Sequence, residues 1–225
     1  VMTMKTFDEI LTEKGYHAEY YGKWHVLTTH SEVYKNQIKY AKNGKNIFEP
    51  QGQRHLYLDY LNDVFPKMKP QKGELLDRFT KRPYTPDPID IDYGKTYNDV
   101  KKEVKHRHSQ PNYHGKSSIP KEHTITAYYA NKTIDAIKRL KNKPFSITTS
   151  FHFPHAPMIP SEPYYSMYDP EKMPIPSSIK DDMQNSPYIN ANGRNKLTVF
   201  ADEEKIKYMI SNYYGLITEL DDWMG

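Results

Sequence analysis

The decisive stretch is Thr6-Phe7-Asp8-Glu9-Ile10-Leu11-Thr12-Glu13-Lys14-Gly15, followed by Tyr16-His17-Ala18-Glu19-Tyr20-Tyr21 and then Gly22-Lys23-Trp24-His25. Its first part predicts a helix over residues 5–14. Phe7, Ile10 and Leu11 fall at i, i+3 and i+4, and Thr6 with Glu9 has the spacing of a capping box. Gly15 stands where a helix C-terminus favours it. His17 to Tyr21 is short and aromatic and suits a strand. Helix, glycine, strand and polar cluster is the grammar of an α/β fold, in which ligands gather beyond the carboxyl ends of strands.

The same order returns further along. Residues 122–141 read as the clearest helix, with Ala127, Ala130, Ile134, Ile137 and Leu140 at helical spacing. Lys138, Arg139 and Lys141 load its C-terminal end, as the helix dipole prefers. Pro144 stops that pattern. Phe145 to Phe151 then reads as a strand, running directly into His152-Phe153-Pro154-His155-Ala156-Pro157. A last helix is expected from Asp202 to Met224, its buried face drawn by Ile206, Met209, Tyr213, Leu216, Ile217 and Leu220. Between these elements, residues 26–122 and 157–200 are rich in proline and show little periodicity, apart from a short helix over Leu56 to Val64. Long stretches of that kind are usually functional or mobile. They are read as substrate-facing loops over one core, so residues 1–225 are expected to form a single, partial catalytic domain.

Bulk composition narrows the class. The chain has 225 residues, enough for one domain or a large part of a bigger one. Mean hydropathy is −0.90, and no run approaches the ~20 apolar residues of a membrane helix. A formal charge of +4 mildly favours anionic partners. The densest basic patch is Lys101, Lys102, Lys105, His106, Arg107 and His108, which reads either as a solvated loop or as a polyanion site. No cysteine is present, so disulfides and thiolate metal sites are excluded within these residues. The chain opens on Val1 without a signal-like segment and stops at Gly225 directly after an amphipathic pattern. Both ends read as internal, so a piece of a longer protein is expected.

Two clusters stand out chemically. On an extended segment Lys23 and His25 point the same way. An ammonium beside an imidazole makes an anion-binding pair, and the imidazole can also move a proton near neutral pH. Taken alone, the pair reads rather as a surface lysine and a partly buried histidine. His152 and His155 sit on a loop stiffened by Pro154 and Pro157. A rigid mount suits a catalytic group, because positional looseness erodes catalysis; a turn with solvent-exposed histidines fits too. Their spacing of three has no third metal ligand close in sequence. Asp221 and Asp222 are neighbours on a helix and diverge by ~100°, so they do not share one small site. Asn131-Lys132-Thr133 matches the N-glycosylation pattern, which matters only in a secreted protein.

Three segments together resemble the sulfatase family of the alkaline phosphatase-like superfamily. Gly15 to His25 is similar to its Gly-Tyr, Gly-Lys-aromatic-His signature. Pro144-Phe145 through Pro154-His155-Ala156-Pro157 is similar to its strand ending in a Pro-His-x-Pro loop. Tyr213 to Gly225 is similar to its late Tyr-rich helix ending Leu-Asp and a glycine. Ala18 and Tyr21 depart from the usual residues within the strand. The resemblance implies an α/β fold with a mixed β-sheet flanked by helices, here incomplete. It implies a sulfuric ester hydrolase that needs calcium and a formylglycine nucleophile. Both the nucleophile motif and the metal-ligand segments are expected outside this chain, so no residue here is assigned as a metal ligand. By resemblance, Lys23 contacts the sulfate group, His25 hydrogen-bonds the formylglycine hydrate, and His155 binds a sulfate oxygen or protonates the leaving alcohol. His152 is a further pocket residue. The expected substrate is a sulfated small molecule or sulfated glycan, with no nucleic acid partner and no membrane span. The family's usual locations are secreted, lysosomal or periplasmic. Two other readings stay open: a phosphonate or phosphate ester hydrolase on the same frame, and a non-catalytic polyanion-binding module.

Overall fold

A computed structural model describes residues 5–23, 39–42, 45–48, 54–71, 74–77, 79–88, 114–177 and 203–225. In chain order its elements are α1 (Phe7–Glu13), β1 (His17–Gly22), β2 (Lys39–Lys42), β3 (Lys45–Phe48), α2 (Arg54–Val64), β4 (Leu75–Leu76), β5 (Pro83–Pro86), β6 (Gly115–Ser117), α3 (Ile125–Leu140), β7 (Phe145–Ser150) and α4 (Glu203–Met224). The fold is α/β, with parallel and antiparallel pairings and flanking helices, as the resemblance implied. The chain divides into two compact units. One comprises Val1–Pro66, Glu122–Phe153 and Trp223–Gly225; the other comprises Lys67–Lys121 and Pro154–Asp222.

In the first unit, β1 and β7 pair in parallel, from His17 opposite Phe145 to Gly22 opposite Ser150. Parallel strands need a crossover connection, and α3 leads directly into β7 through the turn that ends at Pro144. α1 starts where the capping box predicts: the Thr6 amide donates to Glu9 Oε2 at 2.8 Å. α3 starts at Thr124, whose hydroxyl accepts from the Ala127 amide at 3.3 Å, a cap typically worth about 1 kcal/mol. Tyr57 and Leu61, one turn apart on α2, are buried, as are Ala127, Tyr129 and Ala130 on α3. The Tyr128 ring packs at a tilt against Tyr57 and Tyr60, with centroids 5.6 Å and 5.0 Å away. Each large side chain so buried stabilises by roughly 1.5–3 kcal/mol. β2 and β3 form an antiparallel hairpin.

In the second unit, β4, β5 and β6 form an antiparallel sheet in that order. The β4–β5 turn closes on Asp77, whose carboxylate accepts from the Phe79 amide at 3.1 Å and the Thr80 amide at 2.9 Å. Leu75, Tyr84 and Ile159 pack as its apolar cluster. α4 brings its backbone against the 160–164 segment at Gly215. A Cβ there would sit 2.5 Å from the Tyr164 carbonyl oxygen, so only glycine fits.

The expected helix faces need correction. On α4, Ile206 and Leu216 are buried as predicted, but Tyr213 and Ile217 are exposed, and the buried face is completed by Ser211, Asn212, Gly215 and Glu219. Hydrophobic periodicity marks a stripe; it does not register a neighbour that wants small residues or hydrogen-bond donors. On α1, Phe7 and Ile10 are exposed and Asp8 is buried; on α3, Ile134 and Ile137 are exposed. Within 26–122, β2 to β6 are strands of two to four residues, too short to leave a readable alternation.

Candidate active site

Gly22 decides how β1 ends. Its φ is +101°, a left-handed value that glycine adopts without penalty. A Cβ at this position would collide with the Ser150 carbonyl of the neighbouring strand. The main chain can therefore close tightly on β7, and the Lys23 amide donates to the Ser150 carbonyl oxygen at 2.8 Å. The Lys23 carbonyl in turn accepts from the Tyr20 hydroxyl. Lys23 and His152 thus stand at the carboxyl ends of two adjacent parallel strands, both partly buried. That is the position where α/β folds collect ligands.

The opposite face of β1 is tied down by charge. Glu19 is buried and accepts from Arg139 of α3 through both oxygens at 2.8 Å. It also accepts from His17 Nε2 at 2.7 Å and from the Tyr21 hydroxyl. Burial alone would push this carboxyl up. The hydrogen bonds from Tyr21, Arg139 and His17, with the Arg139 charge, outweigh it and hold the group below its ordinary value. Burial and the Glu19 carboxylate push the Tyr21 phenol well above its ordinary range. β1 is therefore held against α3 by an ionised carboxylate, while its tip carries Lys23.

His155 belongs to the second unit. It is exposed, and its Nδ1 donates to the Ala156 carbonyl at 2.7 Å. That bond assigns the Nδ1–H tautomer to the neutral ring and leaves Nε2 as the nitrogen that exchanges a proton. The segment after it is stitched to the β-sheet. The Gly115 amide donates to the Met158 carbonyl at 3.2 Å and the Ser117 amide to the Pro160 carbonyl at 2.9 Å. The Ser161 hydroxyl donates to the Ile119 carbonyl at 2.6 Å. The stiff mount expected from Pro154 and Pro157 is thus made mainly by main-chain bonds to β6.

Sequence reasoning missed the buried polar centre of the same unit. The Asp87 carboxylate, fully buried, accepts from His114 Nδ1 at 2.6 Å, Asn212 Nδ2 at 2.7 Å and the Tyr165 hydroxyl at 2.7 Å. Four separate segments meet on one side chain. The Pro86-Asp87-Pro88 setting gave no sign of it, because its partners lie 27, 78 and 125 positions away. Burial and Asp87 push the Tyr165 phenol well above its ordinary range.

His25 lies outside the described residues, as does the basic patch at 101–108. Asp221 and Asp222 are exposed. Burial and the Asp222 carboxylate push the Tyr164 phenol up to about 12. Among the described residues, no group of three or more His, Cys, Asp or Glu side chains is placed to hold a metal ion. The cysteine-free chain has no thiol to convert to formylglycine. Among them, too, no helix is long and apolar enough to cross a membrane.

A parallel strand pair ending in Lys23 and His152, within an α/β fold, goes with homology to enzymes of the alkaline phosphatase and sulfatase superfamily. The chain is 30% identical over 135 residues to the multifunctional alkaline phosphatase superfamily protein PehA of Trinickia caryophylli, covering 52% of this chain and 26% of that protein. It is 24% identical over 224 residues to an arylsulfatase of Clostridium perfringens, covering 95% of this chain and 40% of the arylsulfatase. Among solved structures, the phosphonate monoester hydrolase SpPMH from Silicibacter pomeroyi aligns with a TM-score of 0.42 and 24% identity, over 53% of this chain and 26% of that one. No protein-family model matches. The chain thus spans between a quarter and two-fifths of the length of the curated relatives it matches.

Proposed function

We propose that this chain supplies the sulfate-binding and proton-transfer residues of a sulfuric ester hydrolase. The observation that supports it most is the clamped end of β1, where Lys23 projects beside the end of β7, in a chain similar over 95% of its length to an arylsulfatase. A sulfate monoester is anionic at any physiological pH, and attack on sulfur spreads charge onto the peripheral and leaving oxygens. A preorganised cation stabilises that charge best where water is excluded. Lys23 serves this purpose, and a charge-assisted hydrogen bond contributes roughly 1.5–3 kcal/mol.

His155 is the leaving-group acid or a sulfate-oxygen donor through Nε2, since Nδ1 is committed to Ala156. A positioned acid typically gives ~10²–10⁴-fold. His25 assists the nucleophile, and His152 lines the pocket. Calcium and the formylglycine nucleophile come from segments beyond this chain, and calcium would neutralise the bound anion. The substrate is a sulfated small molecule or a sulfated glycan.

The test is hydrolysis of an aryl sulfate and an aryl phosphonate by the complete protein, with Lys23→Ala and His155→Ala beside it. Preference for the sulfate, and a loss of kcat by at least ~10²-fold in each variant, are expected. Preference for the phosphonate would move the chain to the sister activity on the same frame. Binding of sulfated glycans that survives both substitutions, without turnover, would leave only a polyanion-binding role.

A further inference from the structure

We infer that Tyr20 and Ser150 form a positioning clamp for Lys23, an assignment that rests on the sulfate-binding reading of that lysine. Gly22 sits at a positive φ that glycine adopts without penalty, so its residue type alone does not fix where Lys23 goes. Yet Lys23 is held on both sides. Its amide donates to the Ser150 carbonyl at 2.8 Å, and its carbonyl accepts from the Tyr20 hydroxyl. The ring of Tyr20 is buried, with 8% of the residue exposed, and burial pushes its phenol above the ordinary value. It therefore stays a neutral donor across the range in which an ester hydrolase is assayed.

The arrangement explains an otherwise odd choice of side chain. A tyrosine that pointed from the strand only to fill space would be as well served by phenylalanine. Here the hydroxyl reaches forward three residues and fastens the carbonyl of Lys23, just past the end of its strand. A lysine stem is long and flexible, so the placement of its charge depends on where its Cα is fixed. Misplacement of a reacting group by about 1 Å can cost about 10²-fold.

The experiment is a double-mutant cycle in the complete protein with an aryl sulfate as the probe. Tyr20→Phe is expected to lower kcat/KM by about 10-fold and to speed hydrogen exchange at the Lys23 amide. On a Lys23→Ala background the same change is expected to cost less than about 2-fold, because the group it positions is gone. An equal cost on both backgrounds would overturn the clamp, since a general scaffolding role does not depend on Lys23. So would Tyr20→Phe with unaltered turnover and unaltered Lys23 amide exchange. Should Tyr20→Phe fail to fold, hydrogen exchange in the unaltered protein keeps the test: slow exchange at the Lys23 amide is expected, and exchange as fast as in an unstructured peptide would overturn the clamp. Full turnover in Lys23→Ala alone would instead refute the sulfate-binding reading, which separates the two failures.

Discussion

Asn212 and Asp87, 125 positions apart in sequence, share a hydrogen bond of 2.7 Å with both residues buried. This bond ties α4 to the end of β5. With His114 and Tyr165 on the same carboxylate, it makes Asp87 the polar centre of the second unit. Asp87→Ala is expected to destabilise the protein by about 3–5 kcal/mol, because the buried His114 and Asn212 and the half-buried Tyr165 lose one acceptor together. Asp87→Asn keeps the shape and loses the charge, so a smaller loss of about 1–3 kcal/mol is expected. Urea titration followed by tyrosine fluorescence measures both. Equal midpoints for Asp87→Ala and the unaltered protein would show that the cluster contributes nothing net.

The Glu19 network predicts a pH dependence in the first unit. The folded carboxyl lies below its ordinary value, held there by the hydrogen bonds from Tyr21, Arg139 and His17. A depressed acid contributes stability that is fully present above the unfolded value and is lost as pH falls through the folded one. Thermal midpoints are therefore expected to drop as pH falls from about 5 towards 3. Glu19→Gln should flatten that part of the curve and lower the midpoint at neutral pH. An identical acid limb in both proteins would refute the assignment.

Gly22→Ala tests the close approach of β1 and β7. The substitution places a Cβ against the Ser150 carbonyl at a φ of +101°. Backbone strain of that kind costs about 1–3 kcal/mol, and the collision adds to it. Loss of Lys23 amide protection in hydrogen exchange should accompany the fall in stability, because the same peptide must move. A stable Gly22→Ala protein with Lys23 still protected would contradict the described strand end.

Gly215→Ala addresses the packing of α4. In most exposed helices this change is favourable, by roughly 1 kcal/mol. Here the new methyl group meets the Tyr164 carbonyl, and overpacking of this sort costs about 1–3 kcal/mol. A net loss of thermal stability is expected. A gain would mean that α4 stands further from the 160–164 segment than described.

Local chemistry was readable in the chain from the start. The Thr6–Glu9 cap, the glycine after α1, the β-formers of Phe145 to Ser150 and the stop at Pro144 act over a few residues, so their signals lie side by side in sequence. The placement of Lys23 and His152 just past two strands was legible for the same reason, since each follows a short run of β-forming residues. The buried faces of α1, α3 and α4 were not. Which side of a helix is covered depends on what approaches it, as Tyr164 approaches Gly215 and Asp87 reaches Asn212. An apolar stripe such as Tyr213 and Ile217 predicts burial only when no neighbour prefers a small or polar surface.

Order along the chain was therefore enough for the alternation of helices and strands and for the residue types at two strand tips. Tertiary structure alone brought Ser150 to Lys23, Arg139 to Glu19, and His114, Tyr165 and Asn212 to Asp87. The reason is range: capping and strand propensity act between near neighbours. Hydrogen bonds among buried groups form only where folding places donor and acceptor within about 3 Å, whatever their separation in sequence.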